Sequence, residues 1–228
     1  MKIGILQTGQ APEPLRTHGD YPDMFVRLLD GHGFDFAHWH VEGGQMPASV
    51  HDADGWLITG SRHGVYEDHA WIPPLEDFIR RARADGVPMA GICFGHQIMA
   101  QALGGKVGKF PGGWAVGATR YDFDGQPVVM NAWHQDQVLE PPDAARTIAR
   151  NDFCAHAALS YGNWGYSVQA HPEFENGFVA GLIEARGRGL VPDPILDAAT
   201  ARLDTPLDSP AIADRIAAHF KAARARAA

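Results

Sequence analysis

The chain has 228 residues with a formal net charge of −8, and 45% of its residues are hydrophobic and 20% charged. This composition is that of a globular protein with a core, which excludes wholesale disorder. The acidic balance, without a cluster of Lys and Arg along one face, argues against nucleic-acid binding. The uncharged apolar stretches fall well short of the ~20 residues that span a bilayer, and the N-terminus lacks a signal-peptide pattern. We therefore expect a cytoplasmic protein without membrane association.

The first half of the chain alternates strand and helix patterns. Short apolar runs predict strands, and apolar residues at helical spacing predict amphipathic helices between them. The predicted strands cover 2–8, 34–41, 56–59 and 88–92, and the predicted helices cover 22–31, 71–84 and 95–103. This βαβ order predicts an α/β fold with a mostly parallel central sheet and helices on both faces.

Between Lys106 and Gln169 the pattern changes to short strands separated by Gly and Pro. These segments are VGATRYDF, QPVVMNAW, RTIAR, CAHAALSY and GYSVQA. They predict a smaller antiparallel strand addition to the sheet or a flanking ribbon, with the DG of YDFDG as a hairpin turn. Helix returns over 176–188, and an Ala-rich helix covers 210–227. Since the chain shows no repeat and no low-complexity linker, one domain is the simplest interpretation.

The segment GICFG, over 91–95, is the most informative in the chain. A predicted strand enters it and a predicted helix leaves it, with glycine two residues before and two residues after Cys93. This is the cysteine form of the nucleophile elbow, in which small neighbours avoid a clash across a strained turn. The helix N-terminus favours a thiolate at Cys93, and the N–H of Phe94 would face a developing oxyanion. The alternative is a buried packing thiol, which we expect for Cys154 because no glycine flanks it.

A nucleophilic thiol needs a base, and the base needs a group that orients it. His171, in the segment QAHPEF, follows a predicted strand, and Glu173 is suited to accept its second ring N–H. A solvent-exposed loop histidine is the alternative when His171 is considered alone. A zinc deaminase also carries an H-x-E segment, but its P-C-x-x-C partner is absent here.

The two motifs together resemble those of the class I (triad) glutamine amidotransferases. GICFGHQ resembles the nucleophile segment of that family, QAHPEF its histidine–glutamate segment, and TGSR its strand-end turn S-G-G-P. The resemblance covers about residues 2–187 and implies a flavodoxin-like α/β fold. We therefore predict one domain over 1–187 and a helical extension over 188–228 that packs on the same domain.

The resemblance implies a catalytic triad. Cys93 would attack the γ-carbonyl of a γ-glutamyl amide, His171 would act as general base and acid, and Glu173 would orient His171. The amine would leave after protonation by His171, and water would then hydrolyse the γ-glutamyl thioester.

The resemblance also implies an oxyanion hole and substrate contacts. The hole would use the backbone N–H of Phe94 and that of Ser61 or Gly60, with Ser61 replacing the family's usual Gly. Three further positions match family residues beside the bound substrate: Gln97, Trp133 and His134. Because a tryptophan stands at 133, where the family often has Ser, we expect a modified γ-glutamyl site.

No cofactor and no metal site are predicted. The chain contains neither G-x-G-x-x-G nor G-x-x-x-x-G-K-[ST], so no nucleotide-binding loop is evident. His38 and His40 share one face of a predicted strand, but without further ligands a packed strand face is the better interpretation.

The predicted function is that of a glutaminase or γ-glutamyl hydrolase acting on a small-molecule γ-glutamyl substrate. The elbow looks closest to free-standing members that resemble the glutaminase half of GMP synthase, including γ-glutamyl peptidases. The enzyme would act alone or pass ammonia to a separate synthase subunit, since the roughly 40 residues after 187 are too few for a synthase domain. A non-catalytic or regulatory module that retains the fold, and another cysteine-elbow hydrolase, are the alternatives.

Overall fold

The computed structural model of the chain describes residues 1–227. Its strands are β1 (Lys2–Gln7), β2 (Asp35–His40), β3 (Gly55–Ile58), β4 (Met89–Ile92), β5 (Lys106–Lys109), β6 (Ala115–Phe123), β7 (Gln126–His134), β8 (Asp136–Glu140), β9 (Arg146–Arg150), β10 (Ala158–Tyr161) and β11 (Gly165–Val168). Its α-helices are α1 (Tyr21–Leu28), α2 (Ile72–Ala84), α3 (Phe94–Ala102), α4 (Asn176–Leu182), α5 (Asp193–Thr200) and α6 (Ser209–Ala227). A 3₁₀ turn covers Glu13–His18, and a π-helical turn covers Ile183–Gly187.

Within residues 1–227, nine strands form one mixed sheet in the order β2-β1-β3-β4-β11-β10-β9-β6-β7. The five strands from β2 to β11 are parallel, and the remaining neighbours pair antiparallel. The strands β5 and β8 form a second, two-stranded antiparallel sheet. The predicted α/β fold, with its mostly parallel sheet and antiparallel addition, is confirmed.

Alternation along the buried strands divides the core between the two faces of the sheet. Ile3 and Ile5 of β1 point to the face covered by α1 and α6, where Phe25 and Phe220 are buried. Leu6 points to the opposite face. There α2 and α3 cover the sheet with the side chains of Leu75, Phe78, Phe94, Ile98 and Met99. Burial on both faces explains why the parallel strands are continuously apolar in the sequence.

The hairpin between β6 and β7 turns at the predicted Asp-Gly pair. Asp124 has φ 48° and Gly125 has φ 88°. Positive φ at both central residues is the requirement of the type I′ turn, which matches the twist of the strands. The carboxylate of Asp124 also pairs with the guanidinium of Arg146 at 3.1 Å.

The prediction for the segment GYSVQA was wrong in one respect. It forms β11, which pairs antiparallel with β10 but parallel with β4, with Val168 beside Ile92. β10 lies between β9 and β11 and runs antiparallel to both. The chain therefore reverses direction after β10, and β11 runs in the same direction as β4. No helix precedes β11, so the usual sequence signal of a parallel strand is missing.

The C-terminal part of the chain completes the fold. The helix predicted over 176–188 ends as α4 at Leu182 and continues as the π-helical turn, and α5 follows without having been predicted. Ile212, Ile216 and Phe220 of α6 are fully buried on the face of the sheet to which Ile3 and Ile5 point. The division of the chain at 187 stays a prediction. Among the described residues, no helix is long and apolar enough to cross a membrane.

We predict that Gly95→Ala destabilises the protein by about 1–3 kcal/mol, as overpacking does. Gly95 lies in the first turn of α3, and a Cβ there would collide with the carbonyl oxygen of Ile58 and lie 2.9 Å from its Cβ. The measurement is the urea midpoint of unfolding followed by circular dichroism.

The matched control for this substitution is Gly177→Ala in α4, where an added Cβ meets nothing within 4 Å. Alanine is the better helix former, so the control should leave stability unchanged or raise it by up to about 1 kcal/mol. Equal midpoints for the two variants would contradict the close approach of α3 to β3.

Candidate active site

Cys93 lies in the turn between β4 and α3, and its backbone is strained. Its φ is 54° and its ψ is −103°, outside the favoured regions for a residue with a side chain. Its N–H donates to the carbonyl of Val168 at 2.8 Å, and its carbonyl accepts from the N–H of Gln97 at 3.0 Å. These bonds hold the turn on β11 and on the first turn of α3, with the side chain nearly buried beside the helix N-terminus.

Each of the two glycines that flank the elbow is required by a close backbone contact, Gly95 with Ile58 and Gly91 with Gly95. A Cβ on Gly91 would lie 2.5 Å from the carbonyl carbon and oxygen of Gly95. The backbone therefore closes on itself across the turn, as the elbow pattern in the sequence predicts.

His171 and Glu173 form a buried pair beside Cys93. The Nδ1 of His171 lies 2.7 Å from Oε1 of Glu173, and the two side chains are only 4% and 1% exposed. The ring of Phe174 stacks on the imidazole with centroids 4.0 Å apart and planes 2° apart. The N–H of His171 also donates to the carbonyl of Asn131 at 2.8 Å. Phe174 therefore holds one face of the imidazole, Glu173 holds its Nδ1, and the bond to Asn131 holds the backbone of His171.

The electrostatics of this pair favour the charged imidazolium. Burial lowers the pKa of His171, but the negative charge of Glu173 and that of Cys93 outweigh burial and raise the pKa to about 10. Hydrogen bonds from the ring to Cys93 and Glu173 act in the same direction. The site can thus hold a proton on His171 at neutral pH, ready for transfer to a leaving group.

The predicted oxyanion residues lie next to the same atoms. A Cβ on Gly60 would lie 2.9 Å from Cε1 of His171 and 3.7 Å from Cβ of Cys93. The preceding carbonyl, that of Thr59, accepts the N–H of Gly95 at 3.2 Å, which ties this turn to α3. Phe94 begins α3, so its N–H belongs to the first turn, whose amides have no partner within the helix. Their role as an oxyanion hole stays a prediction.

One cavity joins most of the predicted site residues. It is lined by Ser61, Cys93, Gln97, Trp133, His134 and His171. Its wall also includes cationic and large apolar side chains that the sequence did not single out, namely Lys109, Trp114, Leu182, Arg186 and Leu190. The cavity can therefore contact both a charged group and an apolar group of a ligand.

His134 lines this cavity and has an unpaired ring nitrogen. Its Nδ1 lies 3.2 Å from the carbonyl oxygen of Asp136, so Nδ1 carries the proton and Nε2 keeps its lone pair. Nε2 is buried and has no hydrogen-bond partner among the described residues. Burial, and then the charge on His171, lower the pKa of His134 to about 3. The imidazole is therefore neutral and can accept a hydrogen bond from a ligand.

Gln169 is a site residue that the sequence analysis quoted but did not assign. Its Nε2 points to Sγ of Cys93 at 3.8 Å, and its Oε1 accepts from Nε2 of Gln97 at 3.1 Å. Gln97 also donates to the carbonyl of Asp136 at 3.0 Å. The strand period of two was the available signal, because it places residues 169 and 171 on the same side of the chain.

The fold and the cavity define the class of protein: an α/β protein with a cysteine, a histidine and a glutamate gathered at the ends of neighbouring parallel strands. The chain belongs to the glutamine amidotransferase class I family, whose model matches residues 25–178. The family predicted from the motifs is thereby confirmed.

Similar proteins agree with this assignment. Gamma-glutamyl peptidase 4 of Arabidopsis thaliana is 29% identical over 196 residues, which cover 79% of this chain and 78% of that protein. GMP synthase of Leifsonia xyli is 36% identical over 136 residues, 54% of this chain but only 26% of the synthase. A glutamine amido transferase structure from Methylobacillus flagellatus has a TM-score of 0.77 at 23% identity, covering 99% of this chain and 94% of that chain. The family model and the gamma-glutamyl peptidase relative support a hydrolase-type enzyme, and the solved structure supports the fold.

We predict that Glu173→Gln moves the alkaline limb of the pH profile of kcat/KM to lower pH. Glu173 raises the pKa of His171, so the wild-type imidazolium persists to high pH. The neutral amide removes that attraction, and the proton is lost at a lower pH. The measurement is kcat/KM for a γ-glutamyl amide between pH 6 and pH 11.

The control is Glu175→Gln, which makes the same change at an exposed position two residues away. Its profile should overlay that of the wild type. An unchanged limb in Glu173→Gln would contradict the coupling of Glu173 to His171.

Proposed function

We propose that the protein hydrolyses γ-glutamyl amides, either glutamine or a γ-glutamyl conjugate, by a Cys-His-Glu triad. The observation that carries the proposal is the strained Cys93 in one cavity with His171, whose Nδ1 lies 2.7 Å from the buried carboxylate of Glu173. A structural thiol needs neither a charged imidazole nor an elbow backbone beside it. This argues against a non-catalytic module that merely retains the fold.

The proposed reaction proceeds in two stages. The thiolate of Cys93 forms a bond to the γ-carbonyl carbon, and the π electrons move to the oxygen, which accepts the N–H groups of Phe94 and of Gly60 or Ser61. When the oxyanion collapses, the C–N bond breaks and His171 gives its proton to the departing amine. Water then adds to the γ-glutamyl thioester while His171 takes a proton from it, and glutamate leaves with Cys93 restored.

The cavity wall supports recognition of the glutamyl part. The neutral His134 has its Nε2 lone pair free to accept an N–H from the α-amino group. Lys109 and Arg186 carry positive charge in the same cavity and suit the α-carboxylate. Gln97 lines the cavity as predicted, but its Nε2 is engaged with Gln169 and Asp136. In this proposal Gln97 affects the substrate indirectly, because its hydrogen bond holds Gln169 in position.

Two observations favour a stand-alone hydrolase. The match to gamma-glutamyl peptidase 4 covers 78% of that protein, whereas the match to GMP synthase covers 26% of the synthase. The cavity also has apolar walls from Trp114, Trp133, Leu182 and Leu190, which suit a leaving amine larger than ammonia. An amidotransferase subunit that passes ammonia to a separate synthase is the second candidate, supported by the synthase relatives.

We predict that Cys93→Ser lowers kcat for γ-glutamyl hydrolysis by a factor on the order of 10³ or more. The matched control is Cys154→Ser, since Cys154 is the other free cysteine and burial raises its pKa to about 12. That control should keep wild-type activity. Glutamate release is the readout, and full activity in Cys93→Ser would refute the mechanism.

A substrate panel separates the two candidates. If the enzyme acts alone, kcat/KM for γ-glutamyl compounds with bulky or apolar amines should exceed that for free glutamine by tenfold or more. The expected reason is burial of the amine substituent against the apolar cavity wall. Glutamine as the preferred substrate, with activity that rises on addition of a synthase, would favour the amidotransferase subunit instead.

A further inference from the structure

A second cluster of chemically active side chains lies in the segment between β3 and α2. Nδ1 of His63 lies 3.2 Å from Oε2 of Glu67, and Nε2 of His69 lies 2.8 Å from the same oxygen. One ligand atom from each of the three residues lies within 4.8 Å of those of the other two. From the sequence, His38 and His40 were the candidate metal ligands, and no metal site was predicted. The H-x₃-E-x-H segment over 63–69 is a different set of residues.

The spacing of these atoms is close to that of a metal-bound set. Zinc binds imidazole nitrogen and carboxylate oxygen at about 2.0–2.2 Å, which puts tetrahedral ligands roughly 3.3 Å apart. The separations of 3.2 and 2.8 Å therefore need only small side-chain movements to surround an ion. Two imidazoles and a carboxylate are ligands that zinc and its neighbours in the first transition row prefer.

The backbone of the segment is already ordered. The N–H of Glu67 donates to the carbonyl of Gly64 at 3.0 Å, and the N–H of His69 donates to that of Glu67 at 3.0 Å. The ring of His69 stacks on that of Trp71, with planes 14° apart. These backbone turns hold the three side chains on one side of the segment. Because the segment is already ordered, metal binding loses less conformational entropy.

A fourth residue supplies the outer partner that metal-binding histidines usually have. Oε1 of Glu42 lies 3.1 Å from Nε2 of His63, the ring nitrogen that does not face Glu67. A carboxylate in this position accepts the Nε2–H and leaves the Nδ1 lone pair free for a metal. Glu42 comes from the loop after β2, so this contact is independent of the 63–69 segment. Arg62 lies 3.7 Å from the same carboxylate and its Nε lies 3.4 Å from Nε2 of His63, on a side chain that is 64% exposed.

We propose that His63, Glu67 and His69 bind a divalent transition-metal ion of the zinc class, with Glu42 orienting His63. His63 and Glu67 also line the cavity that contains Cys93. Three protein ligands leave one position of a tetrahedral ion for water or a ligand. The ion therefore lies at the wall of the active-site cavity and adds positive charge there, which suits a carboxylate on a bound substrate.

The test is calorimetric titration of the metal-free full chain with ZnCl₂. It is done in the Cys93→Ser variant, because the thiol and imidazole of the active site are themselves zinc ligands. One zinc should bind per chain. His69→Ala in that background should lower the affinity at least 100-fold, and Glu42→Ala should lower it 10–100-fold, as loss of an outer partner does. MgCl₂ should give no comparable binding, since imidazole is a poor magnesium ligand.

The matched control is His51→Ala. His51 is an exposed histidine whose Nε2 lies 3.1 Å from a carboxylate oxygen of Asp85, but among the described residues it belongs to no group of three candidate metal ligands. Its removal should leave the zinc affinity unchanged. Thermal melting shows whether the variants are folded. Without metal, all variants should have the same Tm as the parent. Zinc should raise the Tm of the parent but not that of His69→Ala.

The outcomes are decisive in both directions. Stoichiometric zinc binding that is weakened as stated by His69→Ala and by Glu42→Ala, but not by His51→Ala, supports the site. Absence of binding in the parent, or binding that is unaffected by His69→Ala and Glu42→Ala, would overturn it. Neither result depends on the proposed hydrolase activity, which the Cys93→Ser comparison tests separately.

Discussion

The site depends on the parallel pairing of β4 with β11. Ile92 and Val168 are the last residues of the two strands and lie side by side, and the N–H of Cys93 donates to the carbonyl of Val168. Because both strands run in the same direction, the residues that follow them emerge at the same edge of the sheet. Cys93 and His171, far apart in the chain, are thereby brought together. The strained backbone of Cys93 is tolerated because these hydrogen bonds and the glycine contacts hold it.

The same edge of the sheet concentrates charge in a buried space. Glu173 and the thiol favour the protonated form of His171, whereas burial opposes it. His134 lies nearby and stays neutral, since burial and the charge on His171 both disfavour a second imidazolium. Two histidines in one cavity thus have opposite protonation states, one able to give a proton and the other able to accept a hydrogen bond. Pairs of titratable groups whose pKa values are shifted in opposite directions are typical of catalytic sites.

Most of the fold and the centre of the site could be predicted from the sequence, for reasons that are local. The Asp124-Gly125 turn and the glycines around Cys93 express backbone requirements that only a few residue types meet. The parallel placement of β11 could not be predicted in this way, because it depends on which strands become neighbours. The same holds for Glu42, which reaches His63 from another loop. The strand period places Gln169 on the same side of the chain as His171, but its contact with Cys93 also depends on which strands are neighbours. Sequence motifs report contacts along the chain far better than contacts across it.

The position of α6 has a consequence for how the protein is made. Ile212, Ile216 and Phe220 cover the face of the sheet to which Ile3 and Ile5 of β1 point, and β1 leaves the ribosome well before α6. The core on that face therefore cannot close until α6 has been synthesised, whereas α2 and α3, which cover the opposite face, are synthesised much earlier. Until then Ile3 and Ile5 remain without their final cover, in a nascent chain that already carries the strands of its active site. The growing polypeptide thus keeps part of this apolar face open to aggregation until α6 is released.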